Sequence, residues 1–393
     1  MTIAVALVLV VLLVPSVYLY LLALASIRGI PTPPDRAPSH RFLIAIAAHD
    51  EAAVIAATVE RLNALDYPPH LFEVHVVADH CADGTAAIAR RAGAVVHERE
   101  SGPRTGKGEA LSWLFAGILD TDADAVVVFD ADTRVDPEFL RIMDRRLAAG
   151  ESAIQGQHVI RNPQSGWFSG LAWAMFLIDN RFQNQGRANL GLSAKHMGDS
   201  ICFRSELLRR VGWGTGLTED NQMRQALLLD GVRIAYAPQA KGLGEAPRSW
   251  GQARKQRMRW IGGVRKARRE FRLRLLREGL RRRNAAILDG ALQSYLPAYS
   301  SLVVIVAACV AAMLAVVRAG PTELPALLVW SWLLLLVALF IYPFLGLVLE
   351  RAPLRAYLAI VSGPLFILWR VWLSLLARLG RRDIHWVRTQ HGC

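Results

Sequence analysis

The feature that most limits how this chain can fold is an uncharged apolar run near its start, Ile3–Ala25. A run of about 20 apolar residues is long enough to cross a bilayer as a helix. A secretory signal peptide is the alternative, and Ala23-Leu24-Ala25 resembles a cleavage site, but no Lys or Arg precedes the run, as such a peptide requires. Basic residues follow the run at Arg28, Arg36 and Arg41. We therefore predict a transmembrane helix in residues 1–27, with its N-terminus outside and the chain that follows it in the cytosol.

Three further apolar segments lie in the last quarter of the sequence. Tyr295–Val317 and Leu327–Leu349 are each long enough to span a bilayer, so residues 295–349 are predicted to form two transmembrane helices. The last segment, Leu354–Leu379, is interrupted by Gly363-Pro364 and contains Arg370, which is costly at the bilayer centre. We expect residues 350–393 to form an interfacial helix and a cytosolic tail, with a further transmembrane helix as the alternative.

The charge of the chain also points to a membrane surface. The formal net charge is +13, and a stretch rich in Arg, Arg248–Arg283, precedes the second apolar region directly. An arm that binds nucleic acid is one interpretation. A helix lying on anionic lipid is favoured, because the stretch continues directly into apolar sequence. We therefore predict a basic interfacial segment in residues 266–294, membrane lipids as partners and no nucleic acid.

The four cysteines of the chain indicate neither a metal site nor a disulfide framework. Cys81, Cys202, Cys309 and Cys393 are far apart and form no Cys-x-x-Cys pair. We expect them to be reduced thiols.

Between about residues 41 and 240, short β-rich runs alternate with helical stretches. This pattern is typical of an α/β domain built on a largely parallel sheet. The predicted strands are Phe42–Ala47, Phe72–Ala78, Ala94–His97, Ala125–Phe129 and Ala153–Ile160, and the predicted helices are Glu51–Leu65 and Thr85–Ala92. We assign this domain to residues 41–265 and expect a stiff linker rich in Pro, residues 28–40, to join it to the first helix.

Two carboxylates follow the most apolar of these predicted strands. Val126-Val127-Val128-Phe129 leads directly into Asp130, Ala131 and Asp132. Ligands of open α/β sheets bind beyond the carboxyl ends of the strands. Two carboxylates at that place can hold a hard cation such as Mg²⁺ or Mn²⁺, which in turn neutralises a diphosphate. A solvated acidic turn is an equally simple interpretation of this short motif.

Polar side chains also follow the first two predicted strands. His49, Asp50 and Glu51 come after the first strand, and Asp79 ends the second. Asp83 or Thr85 is a candidate helix N-cap. Further along, Lys107 lies between Gly106 and Gly108, but the spacing of the glycines is not that of a Walker A loop.

The order of these motifs resembles glycosyltransferase family 2, and within it the membrane-integrated polysaccharide synthases related to cellulose, hyaluronan and poly-N-acetylglucosamine synthases. The resemblance covers roughly residues 40–265 and implies a GT-A domain, a Rossmann-like and mostly parallel α/β fold. In that family the first motif and the aspartate after the second strand hold the base and ribose, which implicates Asp50, Glu51 and Asp79. Lys107 looks like the lysine near the donor. Asp130 and Asp132 match the Asp-x-Asp motif, and Asp132 is favoured as the direct metal ligand.

Two motifs further along the chain strengthen the resemblance. Thr218-Glu219-Asp220 is similar to the family's Thr-Glu-Asp, whose aspartate is the general base, and it also fits a helix N-terminus. Gln256-Arg257-Met258-Arg259-Trp260 is similar to Gln-x-x-Arg-Trp, which contacts the donor pyrophosphate and the acceptor sugar. The resemblance implies Asp220 as base, Gln256 and Arg259 on the donor side, and Glu219 and Trp260 on the acceptor side. Arg259 can stabilise a departing diphosphate, and the face of Trp260 can stack on a sugar ring.

The sequence departs from the family pattern at two places. Ala47 and Asp50 stand where relatives more often have Pro and Asn, so contacts with the base can differ in detail. Gly198-Asp199-Ser200 occupies a position that often reads Gly-Asn-Gly or Gly-Thr-Gly near the acceptor. The identity of the acceptor therefore cannot be carried over.

These observations predict an inverting, metal-dependent glycosyltransferase in the inner membrane, with its catalytic domain in the cytosol. The donor is expected to be a nucleotide-sugar, with UDP favoured over GDP by the family majority. The acceptor is expected to be a growing polysaccharide, with single transfer to a membrane lipid as a close alternative. A non-catalytic membrane protein that only binds a nucleotide is a more remote alternative, because Asp132 and Asp220 are both present.

Overall fold

The computed structural model describes residues 2–103, 106–216, 218–247, 250–320 and 325–379. Within these ranges, eight strands form one mixed sheet with the order β3-β2-β1-β4-β7-β6-β8-β5. The strands are β1 (Phe42–Ala48), β2 (Phe72–Asp79), β3 (Val95–Arg99), β4 (Ala125–Asp130), β5 (Arg134–Val135), β6 (Ala153–Ile160), β7 (Ile201–Arg204) and β8 (Ala235–Gly244).

The first half of the sheet is parallel, as the sequence predicts. Strand β1 lies between β2 and β4 and pairs in parallel with both, while β3 extends the same arrangement from β2. Strand β7 then runs antiparallel to its two neighbours, β4 and β6. Strands β1 and β4 are buried along almost their whole length, which explains why their sequences are continuous apolar runs rather than alternating ones. The carboxyl ends of β1, β2 and β4 therefore meet at one edge of the sheet.

Helices cover both faces of this sheet. The helices of the domain are α2 (Ile55–Asn63), α3 (Thr85–Arg91), α4 (Lys107–Ile118), α5 (Phe139–Ala148), α6 (Trp167–Ile178), α7 (Gly186–Asn189), α8 (Ser205–Val211) and α9 (Glu219–Leu229). Alternate residues of β1 and β4 point to opposite faces. Ile44 and Val127 pack with α2, α3 and α5 on one face, whereas Leu43 and Val126 pack with α4, α8 and α9 on the other.

The five predicted strands are present, but one predicted helix starts later than expected. The helix predicted from Glu51 begins at Ile55, because a turn intervenes in which the carbonyl oxygen of Glu51 accepts hydrogen bonds from the N–H groups of Val54 and Ile55 at 3.0 Å. Asp50 before this turn has a φ of +53°. Asp83 accepts hydrogen bonds from the N–H groups of Ala52 and Thr85 and so ties this turn to the start of α3.

Strands β5, β7 and β8 were not predicted. Strand β5 has two residues and β7 has four, so neither carries a readable period. Strand β8 is long, but its sequence AYAPQAKGLG contains Pro238 and two glycines, which are depleted in strands. Between α6 and α7, residues Asp179–Gln185 form a π-helical segment, for which the sequence carries no signal either.

The remaining helices are apolar or basic. They are α1 (Thr2–Ala25), α10 (Trp250–Arg282), α11 (Ala285–Tyr295), α12 (Tyr299–Ala319), α13 (Ala326–Leu349), α14 (Leu354–Val361) and α15 (Gly363–Leu379). Among the described residues, α1, α12 and α13 are long and apolar enough to cross a membrane. They pack together through Leu12, Val306 and Leu339 and leave many other apolar side chains exposed.

Helices α14 and α15 form a pair bent by 50° at a short break, where the sequence has Gly363-Pro364. Counted as one broken span, this pair brings the number of candidate membrane spans in the described residues to four. An interfacial position for residues 354–379 stays a prediction, and the predicted tail beyond Leu379 lies outside the described residues.

The basic stretch forms one long helix rather than a separate segment. Helix α10 continues through the predicted boundary between residues 265 and 266. Helix α11 folds back on it and begins at Asn284, whose side chain accepts hydrogen bonds from the N–H groups of Ala286 and Ile287. Both helices pack against α9 through Leu228, Leu275 and Ile287. The helix that carries the Gln-x-x-Arg-Trp motif is therefore built onto the α/β domain.

Candidate active site

The candidate site lies where β4 ends beside the start of α4. Gly106, with a φ of +134°, directly precedes α4, so the first side chain of that helix is Lys107. The ammonium of Lys107 donates hydrogen bonds to a carboxylate oxygen of Asp130 and to the carbonyl oxygen of Gly198, the latter at 2.5 Å. Burial disfavours the charged ammonium, but Asp130, Asp199 and Glu219 together hold the pKa of Lys107 above its ordinary value. Lys107 is therefore a fixed cation among several carboxylates.

A buried pair, Asp199 and His158, supports the end of β4. Asp199 accepts a hydrogen bond from the backbone N–H of Asp130 at 3.1 Å, and its other oxygen lies 2.9 Å from Nδ1 of His158. Burial opposes the ionised form of Asp199, but the hydrogen bond from His158 and the charge of Lys107 hold its pKa below the ordinary value.

The histidine of this pair also interacts electrostatically with the Asp-x-Asp motif. Burial opposes the imidazolium of His158, but Asp199 first, and then Asp130 and Asp132, raise its pKa. Asp132 therefore lies near enough to His158 for its charge to act on the ring. A protonated His158 would partly balance the negative charge of the Asp-x-Asp motif.

Glu219 and Asp220 form the first turn of α9 and face the same cations. Burial, followed by the negative charge of Asp220, raises the pKa of Glu219 to about 7, although Lys107 and Arg259 act in the opposite direction. Burial also raises the pKa of Asp220, against the N–H of Asn221, Lys107 and Arg259. Two carboxyl groups with increased proton affinity thus lie beside two cations, an arrangement suited to proton transfer.

Glycines allow these elements to approach closely. A Cβ on Gly108 of α4 would lie 2.5 Å from the carbonyl oxygen of Gly214 and 2.9 Å from Cβ of Glu219. A Cβ on Gly263 of α10 would lie 2.4 Å from Cγ2 of Thr218. Such distances exclude any larger residue without movement of α9. The small residues of α4 and α10 therefore determine where Glu219 and Asp220 lie.

Helix α10 brings part of its motif to this group. The charge of Arg259 acts on both Glu219 and Asp220. Gln256 and Trp260 are half-buried on the same helix. The face of Trp260 is approached by the neighbouring Arg257, whose guanidinium carbon lies 5.0 Å from the ring centre, so a sugar that stacks there must share or displace this contact.

The other predicted donor residues lie at the same sheet edge, at the end of β2 and just after β1. Asp79 is buried and forms an ion pair of 2.5 Å with Arg99 of β3, and His80 lies 2.9 Å from the same oxygen. Asp50 accepts a hydrogen bond from the N–H of Ala82 at 2.7 Å. These contacts order the predicted base and ribose side of the site, while Lys107, Asp130 and α9 form its predicted reaction side.

Sequence reasoning missed several residues of this arrangement, among them His158, Arg99 and His196. The imidazole of His196 is buried, and burial followed by the charge of Lys107 lowers its pKa to about 3, so its neutral Nδ1 accepts a hydrogen bond from the N–H of Gly198. His158 and Arg99 lie at or near the ends of two predicted strands, where a polar residue is a usable signal. His196 lies in an irregular loop and had none.

Residues 38–263 match the sequence model of a family described as "Glycosyltransferase like family 2". Over 237 residues the chain is 29% identical to the beta-monoglucosyldiacylglycerol synthase of Synechocystis sp., an alignment that covers 58% of this chain and 48% of that protein. Over 234 residues it is 28% identical to a poly-beta-1,6-N-acetyl-D-glucosamine synthase of Staphylococcus epidermidis, covering 56% and 53%. The chain thus spans about half the length of these curated relatives.

A solved structure gives the same result for the fold. A mannosyltransferase from Pyrobaculum calidifontis, solved in complex with GDP-Man and Mn²⁺, superposes with a TM-score of 0.59 at 19% identity, covering 89% of this chain and 99% of that one. The predicted fold class, an α/β GT-A domain flanked by candidate membrane helices, is confirmed. With more than half of its length matched by the family model, the chain belongs to glycosyltransferase family 2.

Proposed function

We propose that this chain is an inverting glycosyltransferase that transfers a sugar from a nucleotide-sugar to an acceptor at the cytosolic face of a membrane. The observation that carries the proposal is the group of charges around Lys107. This cation contacts Asp130 and interacts electrostatically with Asp199 and Glu219, beside Asp220 and Arg259. A site with fixed cations for a diphosphate and a carboxylate of increased proton affinity has the parts that glycosyl transfer requires.

Asp220 is the proposed general base. As the acceptor hydroxyl oxygen bonds to the anomeric carbon, its proton passes to the carboxylate of Asp220. The bond from that carbon to the diphosphate breaks at the same time, and its electron pair leaves with the diphosphate. One displacement of this kind inverts the anomeric configuration. The raised pKa of Asp220 supports the role, because it increases the carboxylate's affinity for the proton that it receives. Glu219 is proposed to bind the acceptor.

Lys107 and Arg259 are proposed to stabilise the leaving diphosphate. The ammonium of Lys107 donates a hydrogen bond to Asp130, so a cation already lies beside this carboxylate. Asp130 and Asp132 offer carboxylate oxygens, the donor atoms preferred by Mg²⁺ and Mn²⁺, so the residues fit a divalent ion. Such an ion would neutralise charge on the diphosphate, with Asp132 as its proposed direct ligand. The Mn²⁺ of the related mannosyltransferase structure agrees with this choice of ion.

Asp50, Glu51 and Asp79 are proposed to hold the nucleotide, with Gln256 on the donor side. The buried ion pair with Arg99 orients the carboxylate of Asp79, so that its second oxygen can accept a hydrogen bond from a ribose hydroxyl. The related mannosyltransferase was solved with GDP-Man, whereas the family resemblance favours UDP. We propose a UDP-sugar and include GDP-sugars in the test.

Two acceptor classes have specific support. Transfer to a membrane lipid is favoured by the alignment with the beta-monoglucosyldiacylglycerol synthase and by the close packing of α10 and α15, through Arg257 and Phe366, which brings the Trp260 motif to apolar helices. Extension of a polysaccharide, the class that the sequence favours, is supported by the alignment with poly-beta-1,6-N-acetyl-D-glucosamine synthase. We place lipid transfer first, because its proposed acceptor site adjoins the candidate membrane spans.

The test is an incubation of detergent-purified full-length protein with radiolabelled UDP- and GDP-sugars, Mn²⁺ and a lipid extract. Label that moves into the organic phase after extraction identifies a lipid acceptor. Label that stays in the aqueous phase, in material of high molecular mass, identifies a polymer. The proposal fails if no sugar is transferred from any donor while the protein remains folded and binds nucleotide, since that outcome fits the non-catalytic alternative.

A further inference from the structure

A polar cavity lies away from the candidate active site. It has a volume of about 380 Å³ and lies between β8, the π-helical segment Asp179–Gln185 and the end of α13. Its walls include Gln157, Arg181, Tyr236, Gln239, Lys241 and Glu350. Cavities of this size hold small ligands or headgroups. The π-helical wall is a second indication, because such distortions of helices occur frequently at functional sites.

The cavity shares no lining residue with the candidate active site. Its walls come from Gln157 of β6, from β8, from the π-helical segment and from Glu350. The candidate active site is formed instead at the ends of β1, β2 and β4 and on α4, α9 and α10. The cavity is therefore a separate site from the proposed donor and acceptor sites.

Two candidate membrane helices end at the cavity. Glu350 directly follows α13, and Arg181 lies 3.6 Å from its carboxylate. Arg181 also donates a hydrogen bond to the carbonyl oxygen of Ile27, two residues after α1. Because α1 and α13 are both apolar enough to span a bilayer, their ends mark the level of the lipid headgroups.

The chemistry of the cavity walls fits a phosphate ester with hydroxyl groups. Glu350 lies 3.6 Å from Arg181 and also interacts electrostatically with Lys241, so the two cations outnumber the one carboxylate in the cavity walls. Two buried polar atoms of its lining residues, Nε of Arg181 and Oε1 of Gln239, have no hydrogen-bond partner among the described residues. Small movements of these two side chains would let them pair with a ligand that carries acceptors on a phosphate and donors on hydroxyls.

We propose that this cavity binds a glycerophosphate group, the headgroup chemistry of an anionic glycerophospholipid such as phosphatidylglycerol. Arg181 and Lys241 bind the phosphate, and Gln239 accepts a hydrogen bond from a glycerol hydroxyl. The position at the ends of α1 and α13 favours a lipid as the source, although a soluble glycerol phosphate has the same chemistry. A lipid bound here connects the membrane helices to β8 of the catalytic domain.

The test measures ligand-induced thermal stabilisation of the delipidated full-length protein in detergent. The probes are short-chain phosphatidylglycerol, short-chain phosphatidylcholine and glycerol 3-phosphate. Lys241→Glu is compared with Arg91→Glu, a change of equal charge at an exposed position of α3. Lys241→Gln is the second variant, in case the charge reversal impairs folding. We expect phosphatidylglycerol to stabilise the wild type and Arg91→Glu equally, with an apparent affinity at least about tenfold weaker in Lys241→Glu.

The three probes separate the two sources. If phosphatidylglycerol binds and glycerol 3-phosphate does not, the site is assigned to a lipid. If glycerol 3-phosphate also binds, and its binding depends on Lys241, the site is assigned to a soluble ester. Either result supports the site. Equal stabilisation by phosphatidylcholine, an equal loss in Arg91→Glu, or full affinity in both Lys241 variants would overturn the proposal. None of these readouts depends on transferase activity, so failure here is distinguishable from failure of the proposed function.

Discussion

Replacing Glu219 with Gln should stabilise the protein at alkaline pH and leave its stability at acidic pH almost unchanged. Burial and the charge of Asp220 raise the pKa of Glu219 to about 7 from an ordinary value of 4.5. Between these two values the folded state holds a proton that the unfolded state has released. The stability of the fold therefore decreases as the pH rises through this interval, because ionised Glu219 is disfavoured where it lies. Gln cannot ionise and has nearly the same shape.

The size of the effect follows from the displaced pKa. At about 1.4 kcal/mol for each tenfold change in proton affinity, a pKa raised from 4.5 to about 7 corresponds to at most about 3.5 kcal/mol at pH 8. For a domain of this size, 1 kcal/mol changes the melting temperature by about 2–4 °C. We therefore expect Glu219→Gln to melt up to about 14 °C above the wild type at pH 8 and within about 2 °C of it at pH 4.5.

The assay is thermal unfolding of the detergent-purified full chain, followed by tryptophan fluorescence at several pH values. Glu60→Gln is the matched control, because Glu60 is exposed on α2 and the substitution removes the same charge. The control should follow the wild type at every pH. A gain for Glu219→Gln that is equal at pH 4.5 and pH 8, or no gain at pH 8, would contradict the assignment of a raised pKa to this side chain.

Three other perturbations test separate parts of the account. Asp132→Ala should abolish metal-dependent UDP binding in calorimetric titrations with Mn²⁺, whereas Asp83→Ala should mainly lower the melting temperature; equal loss of binding would contradict this division. Gly108→Ala should reduce transfer at least about tenfold, because its Cβ meets Gly214 and Glu219, whereas Gly117→Ala on the same helix meets nothing within 4 Å and should retain full transfer. With the other three cysteines changed to Ser, Cys393, which lies outside the described residues, should not react with an impermeant maleimide in intact cells; labelling without lysis would place the C-terminus outside.

The sequence was sufficient to predict the parallel half of the sheet. Strands such as β1 and β4 are buried on both faces, and this burial requires continuous apolar runs that are visible in the sequence. The carboxyl ends of β2 and β4 carry Asp79 and Asp130, and parallel pairing with β1 brings them to one edge without further information. The long apolar runs that form α1, α12 and α13 were also visible in the sequence, because a helix that crosses a bilayer requires about 20 consecutive apolar residues.

The sequence could not predict how the charges of the site are balanced. The pairing of Asp199 with His158 joins β6 to the loop before β7, and β7 is too short to be recognised. The pairing of Asp79 with Arg99 depends on the register of β2 against β3. The contact of Arg257 with Phe366 depends on how α10 packs against α15. Each of these contacts joins residues that propensity and periodicity treat independently, so only the folded arrangement defines them.

The most direct test of the central claim is the transfer rate of Asp220→Asn, measured in a single turnover with the nucleotide-sugar that the wild type uses. Removing a positioned general base typically costs about 10²–10⁴-fold in rate. We predict a loss of at least that size, with donor affinity, measured separately by titration, within about threefold of the wild type. Transfer by Asp220→Asn at a near-normal rate would contradict the account, because the carboxylate at the start of α9 would then not be the base.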